Sequence, residues 1–159
     1  IANRIQQLLP LPQGALDLQQ PTLSGQPVGN PDSIDVLVCG AHLEGLPLNW
    51  QLVERGAVLK QHTQTSPHYL MYALAGGPPF RPGLIRDESK GVAIDVEIWS
   101  IPKAEFGSFV AGIPAPLGIG KVQIADNSWV CGFICEPYGL EGSSDISALG
   151  GWRAYMKSA

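Results

Sequence analysis

The stretch Val36-Leu-Val-Cys-Gly-Ala-His-Leu-Glu-Gly-Leu-Pro-Leu-Asn49 constrains the fold more than any other part of the chain. Val36 to Cys39 form the short, continuous apolar run of a fully buried strand. Gly40 and Gly45 then let the backbone bend sharply with N–H groups pointing outward, a geometry that can hold a small anion. The run Asn49-Trp-Gln-Leu-Val-Glu-Arg-Gly56 predicts a short helix, with Asn49 as N-cap, Leu52 and Val53 turned inward and Gly56 just past its end. A buried strand, a tight turn carrying His42 and a helix start together suit proton chemistry on a small acid.

The 159 residues correspond to one domain, large enough to bury roughly 68–70% of its unfolded surface without disulfide staples. Cys131 and Cys135 stand four apart in an apolar run, on one face of a strand, and are expected to be reduced and buried. The net charge is -4 and the ten Lys and Arg residues are scattered, which argues against nucleic acid and anionic membrane as partners. Positive groups for a small anion must therefore be a few placed ones: an Arg, a protonated His and backbone amides. With no signal peptide or membrane-length apolar run, the expected location is cytoplasmic.

The chain begins at Ile1 rather than Met and is expected to be a processed or excised piece of something longer. Residues 1–33 hold five prolines among Gln and Gly and, beyond a short helix over residues 2–9, are expected to be an interdomain linker plus the tail of a preceding helix that belongs to a preceding domain. The folded domain is expected over residues 34–159. Ala57 to Thr65 and Tyr69 to Leu74 predict two strands broken at Ser66-Pro67, a plausible hairpin. Val92 to Ile101 alternates strictly, setting Val92, Ile94, Val96 and Ile98 on one face and Asp95, Glu97 and Trp99 on the polar other. Pro102 opens a helix with Phe106, Phe109 and Val110 at helical spacing. Lys121 to Ala125 and Trp129 to Glu136 flank the turn Asp126-Asn127-Ser128. The sum is an α+β fold: a small, partly closed, mixed β-barrel of about six strands with short helices packed outside. No dinucleotide motif is present, and Gly118-Ile-Gly120-Lys121 lacks the Ser or Thr and the spacing of a phosphate loop. No cofactor is expected.

With these pieces laid out, the chain resembles the C-terminal domain of allophanate hydrolase, of the γ-glutamyl cyclotransferase-like fold. The resemblance rests on Gly40 to Asn49, Tyr69 to Leu74 with Pro82 to Arg86, Val96 to Trp99, Phe109 to Gly120 and Gly150 to Tyr155, in family order over residues 34–157. It implies an amidase domain of the same polypeptide as partner, with the amidase site outside this chain. It also implies a decarboxylation-like step on the carboxylated product, N-carboxycarbamate or a similar dicarboxylate, in urea degradation to ammonia and CO2. His42 is the catalytic residue carried over. Backbone amides of the turn, mapped onto Gly40, Ala41, Leu43, Glu44 and Gly45, are the substrate-binding groups. The parent cyclotransferases place a catalytic Glu where this chain has Ala111 to Pro116, without an acid, so cyclotransferase activity is not implied.

Each site residue also has a plainer reading. A turn histidine can simply hydrogen-bond locally, although an unperturbed pKa near 6.5 suits proton delivery to a carbamate nitrogen. Leu43, Leu46 and Pro47 would form an apolar wall beside it. Arg86 can grip a carboxylate bidentately or pair with Asp87 or Glu88. Tyr72 is either a structural tyrosine or a ligand contact. Asn49 caps its helix or faces the pocket. Glu97 and Arg153, beside Trp152, read more simply as structural. His62 and His68 would join His42 on a metal only if three elements converged, and no metal site is expected. The competing function is a non-catalytic scaffolding module, self-assembling through the apolar tail from Ile146 to Met156.

Overall fold

The computed structural model describes residues 32–158. The proposed linker helix and nearly all of residues 1–33 lie outside the described residues. Strand β1 (Ser33–Val38) runs through the middle of a five-stranded sheet, and Val36, Leu37 and Val38 have no exposed surface. This is the position that a continuous apolar run requires, because a central strand is covered on both faces. The other members are β2 (Val58–Gln64), β5 (Asp95–Pro102), β6 (Leu117–Gln123) and β7 (Trp129–Cys135), in the order β2-β5-β1-β7-β6. β1 pairs antiparallel with β5 and parallel with β7, so the sheet is mixed.

The sheet curls until its two edges meet. Beyond β2 and β6, Ser66 N–H donates to the Gln123 carbonyl (3.0 Å) and Ala125 N–H to the Gln64 carbonyl (2.9 Å), around an antiparallel bridge between Thr65 and Ile124. A second antiparallel sheet, ordered β4-β3-β8, is made by β3 (Tyr69–Ala73), β4 (Pro82–Arg86) and β8 (Ser144–Asp145). β4 packs on β7 at Gly83, where a Cβ would stand 2.9 Å from the Cys135 sulfur. Among the described residues, three α-helices, α1 (Trp50–Glu54), α2 (Lys103–Ala111) and α3 (Trp152–Ser158), complete the α+β architecture.

Several local expectations need correction. β2 and β3 do not form a hairpin: β2 pairs along its length with β5, and β3 pairs with β4 and β8, so the two strands belong to different sheets. The alternating strand starts at Asp95, and beyond that exposed residue its supposed polar face is buried, with Glu97 2% and Trp99 4% exposed. Alternation distinguishes two faces but cannot say that either meets water. Asn49 makes no side-chain cap, and Val53 is 58% exposed. The end of α1 is as expected: Gly56 takes a left-handed φ of 79°, its N–H donates to Val53 (3.1 Å), and Ala57 N–H donates to Leu52 (3.0 Å).

The β6–β7 hairpin forms around Asn127, whose φ is 72°, with Asp126 Oδ1 accepting from Ser128 N–H. Gly118 to Lys121 are part of β6, and at Gly120 a Cβ would lie 2.6 Å from Ile134 Cδ1. That glycine makes room for a side chain. All three cysteines are free, with Cys39 and Cys135 buried and Cys131 only half-buried.

Candidate functional site

The glycine turn leaves β1 at the centre of the sheet and is closed by its own hydrogen bonds. Leu43 N–H donates to Gly40 (3.0 Å), Leu46 N–H to Leu43 (2.9 Å) and Leu48 N–H to Ala41 (2.8 Å). Gly40 is required by proximity, since a Cβ there would lie 2.3 Å from Pro82 Cδ at the start of β4. Asn49 turns away from its helix, and its Nδ2 donates to the His42 carbonyl (2.9 Å). It fastens α1 to the turn, a role that the same side chain cannot combine with capping.

His42 is buried, 8% exposed. Its ring packs edge-on to Phe109 (5.3 Å between centroids) and tilted on Phe133 (5.0 Å). Nε2 lies 2.7 Å from Gln51 Oε1. With that oxygen accepting, Nε2 carries the proton and Nδ1 is left as an acceptor. Burial pushes the imidazole pKa down, the Gln51 bond partly offsets this, and the positive charge of Arg81 pushes it down further. The ring is therefore mostly neutral at neutral pH.

A cavity of about 150 Å³ opens beside this ring. Gly40, Ala41, His42 and Gln51 line one side; Leu48, Ile113, Leu117 and Phe133 supply an apolar wall; Arg81 stands at its border with Pro79, Pro82 and Pro114. Among the described residues, the Arg81 side chain makes no hydrogen bond or ion pair, although it is half-buried. The amides of Ala41 and His42 likewise have no protein acceptor among the described residues. A guanidinium, free amides and a neutral imidazole around a small space can bind an anion and move a proton.

The turn's amides do not all serve that space. Leu43 N–H is used within the turn, and Glu44 N–H donates to Glu97 Oε1 (2.9 Å). Leu43 is buried in the core, while Glu44 and Gly45 are exposed and border no part of the cavity. The apolar wall comes from Leu48 in the loop before α1, from β6, β7 and the loop after α2 rather than from Leu43, Leu46 and Pro47. Tyr72 is in β3, opposite Asp145 of β8, and Asn49 lies behind the turn; neither lines the cavity.

Arg86 ends β4 and is held by Glu88 Oε2 (3.0 Å), Gln123 Oε1 (3.2 Å) and the Tyr69 hydroxyl (3.4 Å), with its guanidinium 5.1 Å from the Trp129 ring centroid. Arg81 immediately precedes the same strand, so sequence reasoning chose the arginine at its far end. The available signal was Pro79-Phe80-Arg81-Pro82, an arginine held by flanking prolines at a strand start. His62 is on β2, 3.5 Å from Glu97, and His68 Nδ1 is 3.1 Å from Ser66 Oγ. Neither lines the cavity, and no cluster of three metal-ligating side chains occurs among the described residues. Among them, too, no helix is long and apolar enough to cross a membrane.

A family model described as the allophanate hydrolase C-terminal domain matches residues 34–157. Urea amidolyase of Lachancea kluyveri is 43% identical over 138 residues, covering 84% of this chain and 8% of that protein. Urea amidolyase of Saccharomyces cerevisiae is 45% identical over 129 residues, covering 79% and 7%. The chain thus spans less than a tenth of these relatives' length. Kluyveromyces lactis allophanate hydrolase superposes with a TM-score of 0.77 at 41% identity, over 79% of this chain and 21% of that one. A uropathogenic E. coli-specific protein superposes with a TM-score of 0.74 at 34% identity, over 79% of this chain and 96% of that one.

Proposed function

This chain belongs to the family of allophanate hydrolase C-terminal domains, and from that premise we propose that it acts on the carboxylated product of an amidase domain. The substrate is N-carboxycarbamate or a similar small dicarboxylated nitrogen compound, and the step is its decarboxylation in urea degradation. The supplying amidase domain is the partner, carried in the same polypeptide. The observation that carries this reading is the half-buried Arg81 guanidinium, unpaired among the described residues, on the border of the cavity that His42 lines.

One substrate carboxylate takes the Arg81 fork, with the Ala41 and His42 amides as further donors. The other faces the apolar wall, where a carboxylate is poorly solvated and neutral CO2 is not. The dianion also changes His42. Burial still depresses the imidazole pKa, but the dianion neutralises Arg81 and brings negative charge toward the ring, and both changes favour the protonated ring. The bond between nitrogen and one carboxylate carbon then breaks. Its electron pair stays on nitrogen, which takes the proton from the His42 imidazolium; CO2 leaves, with carbamate and neutral imidazole remaining.

The scaffolding alternative drew on the apolar tail, of which Ile146 and Trp152 are buried in the domain's own core while Leu149 and Met156 are exposed. The test times CO2 release from N-carboxycarbamate against an enzyme-free control. His42→Asn is expected to lose about a hundredfold, the usual scale of general acid–base catalysis. A folded His42→Asn protein that accelerates release as well as wild type overturns the reading.

A further inference from the structure

Glu97 is a buried carboxylate that the chemistry above does not use. Its side chain, on β5, is 2% exposed. Oε1 accepts from Glu44 N–H (2.9 Å) and from Trp99 Nε1 (3.0 Å), and Oε2 accepts from Arg153 Nη2 (2.8 Å). The same Arg153 nitrogen donates to the Glu44 carbonyl (2.8 Å). Both backbone polar groups of Glu44, two residues after His42, are thus held by one ion pair that joins the sheet to α3. Burial pushes the Glu97 carboxyl pKa up, but Arg153, the Glu44 amide and the Trp99 indole outweigh it, so the carboxyl titrates below the usual range.

Holding a charge this deep costs desolvation free energy, which its hydrogen bonds must offset. The bonds within the turn set its shape, but they do not set where the turn stands against the sheet. Asn49 fastens His42 to α1, and the Glu97–Arg153 pair ties the Glu44 peptide groups to β5 and α3. The pair lies in a separate crevice, bordered also by His62 and Trp152, which shares no lining residue with the His42 cavity. We propose that Glu97 and Arg153 are positioning residues for the His42 site, fixing the turn through the Glu44 peptide groups without touching the ligand. The inference rests on the functional reading of the His42 cavity given above.

The test uses the full chain, with malonate as an inert dicarboxylate probe and two readouts: malonate affinity by calorimetry and the His42 ring signals by NMR. Arg153→Met keeps the aliphatic stem and removes both donated bonds, at a side chain 44% exposed. It is expected to stay folded, displace the His42 ring signals and weaken malonate binding about tenfold. Arg153→Lys, keeping the charge and one reach, is expected to recover part of the affinity. A structural role alone predicts a lowered Tm with ring signals and affinity at wild-type values, and that result overturns the proposal. If wild type does not bind malonate, the functional reading falls. Displaced ring signals in Arg153→Met then still support the positioning role, and unmoved signals overturn it. Should Arg153→Met not fold, the ring signals of Arg153→Lys are judged by the same criterion.

Discussion

His42 Nε2 and Gln51 Oε1 lie 2.7 Å apart across nine residues of sequence, so the helix that follows the turn returns a side chain to the imidazole the turn carries. Of the influences on the ring, this bond is the one that raises its pKa, against burial and Arg81, which lower it. Gln51→Leu therefore is expected to lower the His42 pKa further and to free the choice of tautomer. An NMR titration of the ring checks this, and an upward shift would contradict it.

Arg81→Met acts in the opposite direction on the same group. Removing the positive charge raises the His42 pKa, while malonate loses its charged anchor and about 1.5–3 kcal/mol of binding, the range for a hydrogen bond to a charged group. Arg86→Met, altering a guanidinium already held by Glu88, Gln123 and Tyr69, is expected to leave malonate affinity unchanged. Calorimetry on the two variants separates the arginines; equal losses would bring Arg86 back into the site.

Stability is expected to depend on pH through the two buried groups whose pKa is depressed, His42 and Glu97. His42 titrates below its ordinary 6.5 in the folded state, so below about that pH the unfolded chain binds more protons than the folded one. Its contribution is complete above the unfolded value and is lost as pH falls through the folded one. Glu97 behaves likewise from its ordinary 4.5 downward. Denaturant midpoints measured downward from pH 7 should fall first in the histidine window, and that first decline should vanish in His42→Asn.

Asn49→Ala removes the donor to the His42 carbonyl from a buried site and is expected to cost about 1–3 kcal/mol, the range for an orphaned buried polar group. If the residue were only a helix cap, Asn49→Ser would restore the loss. Because the bond runs back to the turn instead, serine is expected not to reach it, and chemical denaturation of the pair decides.

Two glycine replacements should differ in sign. Gly40→Ala forces a methyl to within 2.3 Å of Pro82 Cδ, displacing the start of β4 beside Arg81, and is expected to destabilise by about 1–3 kcal/mol while weakening malonate binding. At Gly107, inside α2, nothing lies within 4 Å of an added Cβ, and alanine there is expected to stabilise by about 0.4–1 kcal/mol through the unfolded chain. Melting curves of both check the contrast.

The sequence by itself determined what depends on near neighbours and on one-dimensional pattern. The apolar run of β1 required a central strand, Gly56 ended α1, Asn127 turned the β6–β7 hairpin, and Phe109 marked the buried side of α2. The α+β class and the resemblance carried by five ordered segments were also legible. Only the tertiary structure decided which strands pair, because β2 and β3 look like neighbours until β5 and β4 compete for them. It also decided that Glu97 is buried, since alternation cannot tell a solvent-facing side from one covered by α3. The choice between Arg81 and Arg86 belongs there too: they flank one short strand with equal local claims. Packing set one beside His42 and gave the other to Glu88, because a cavity is made by residues far apart in the chain and no local pattern encodes its position.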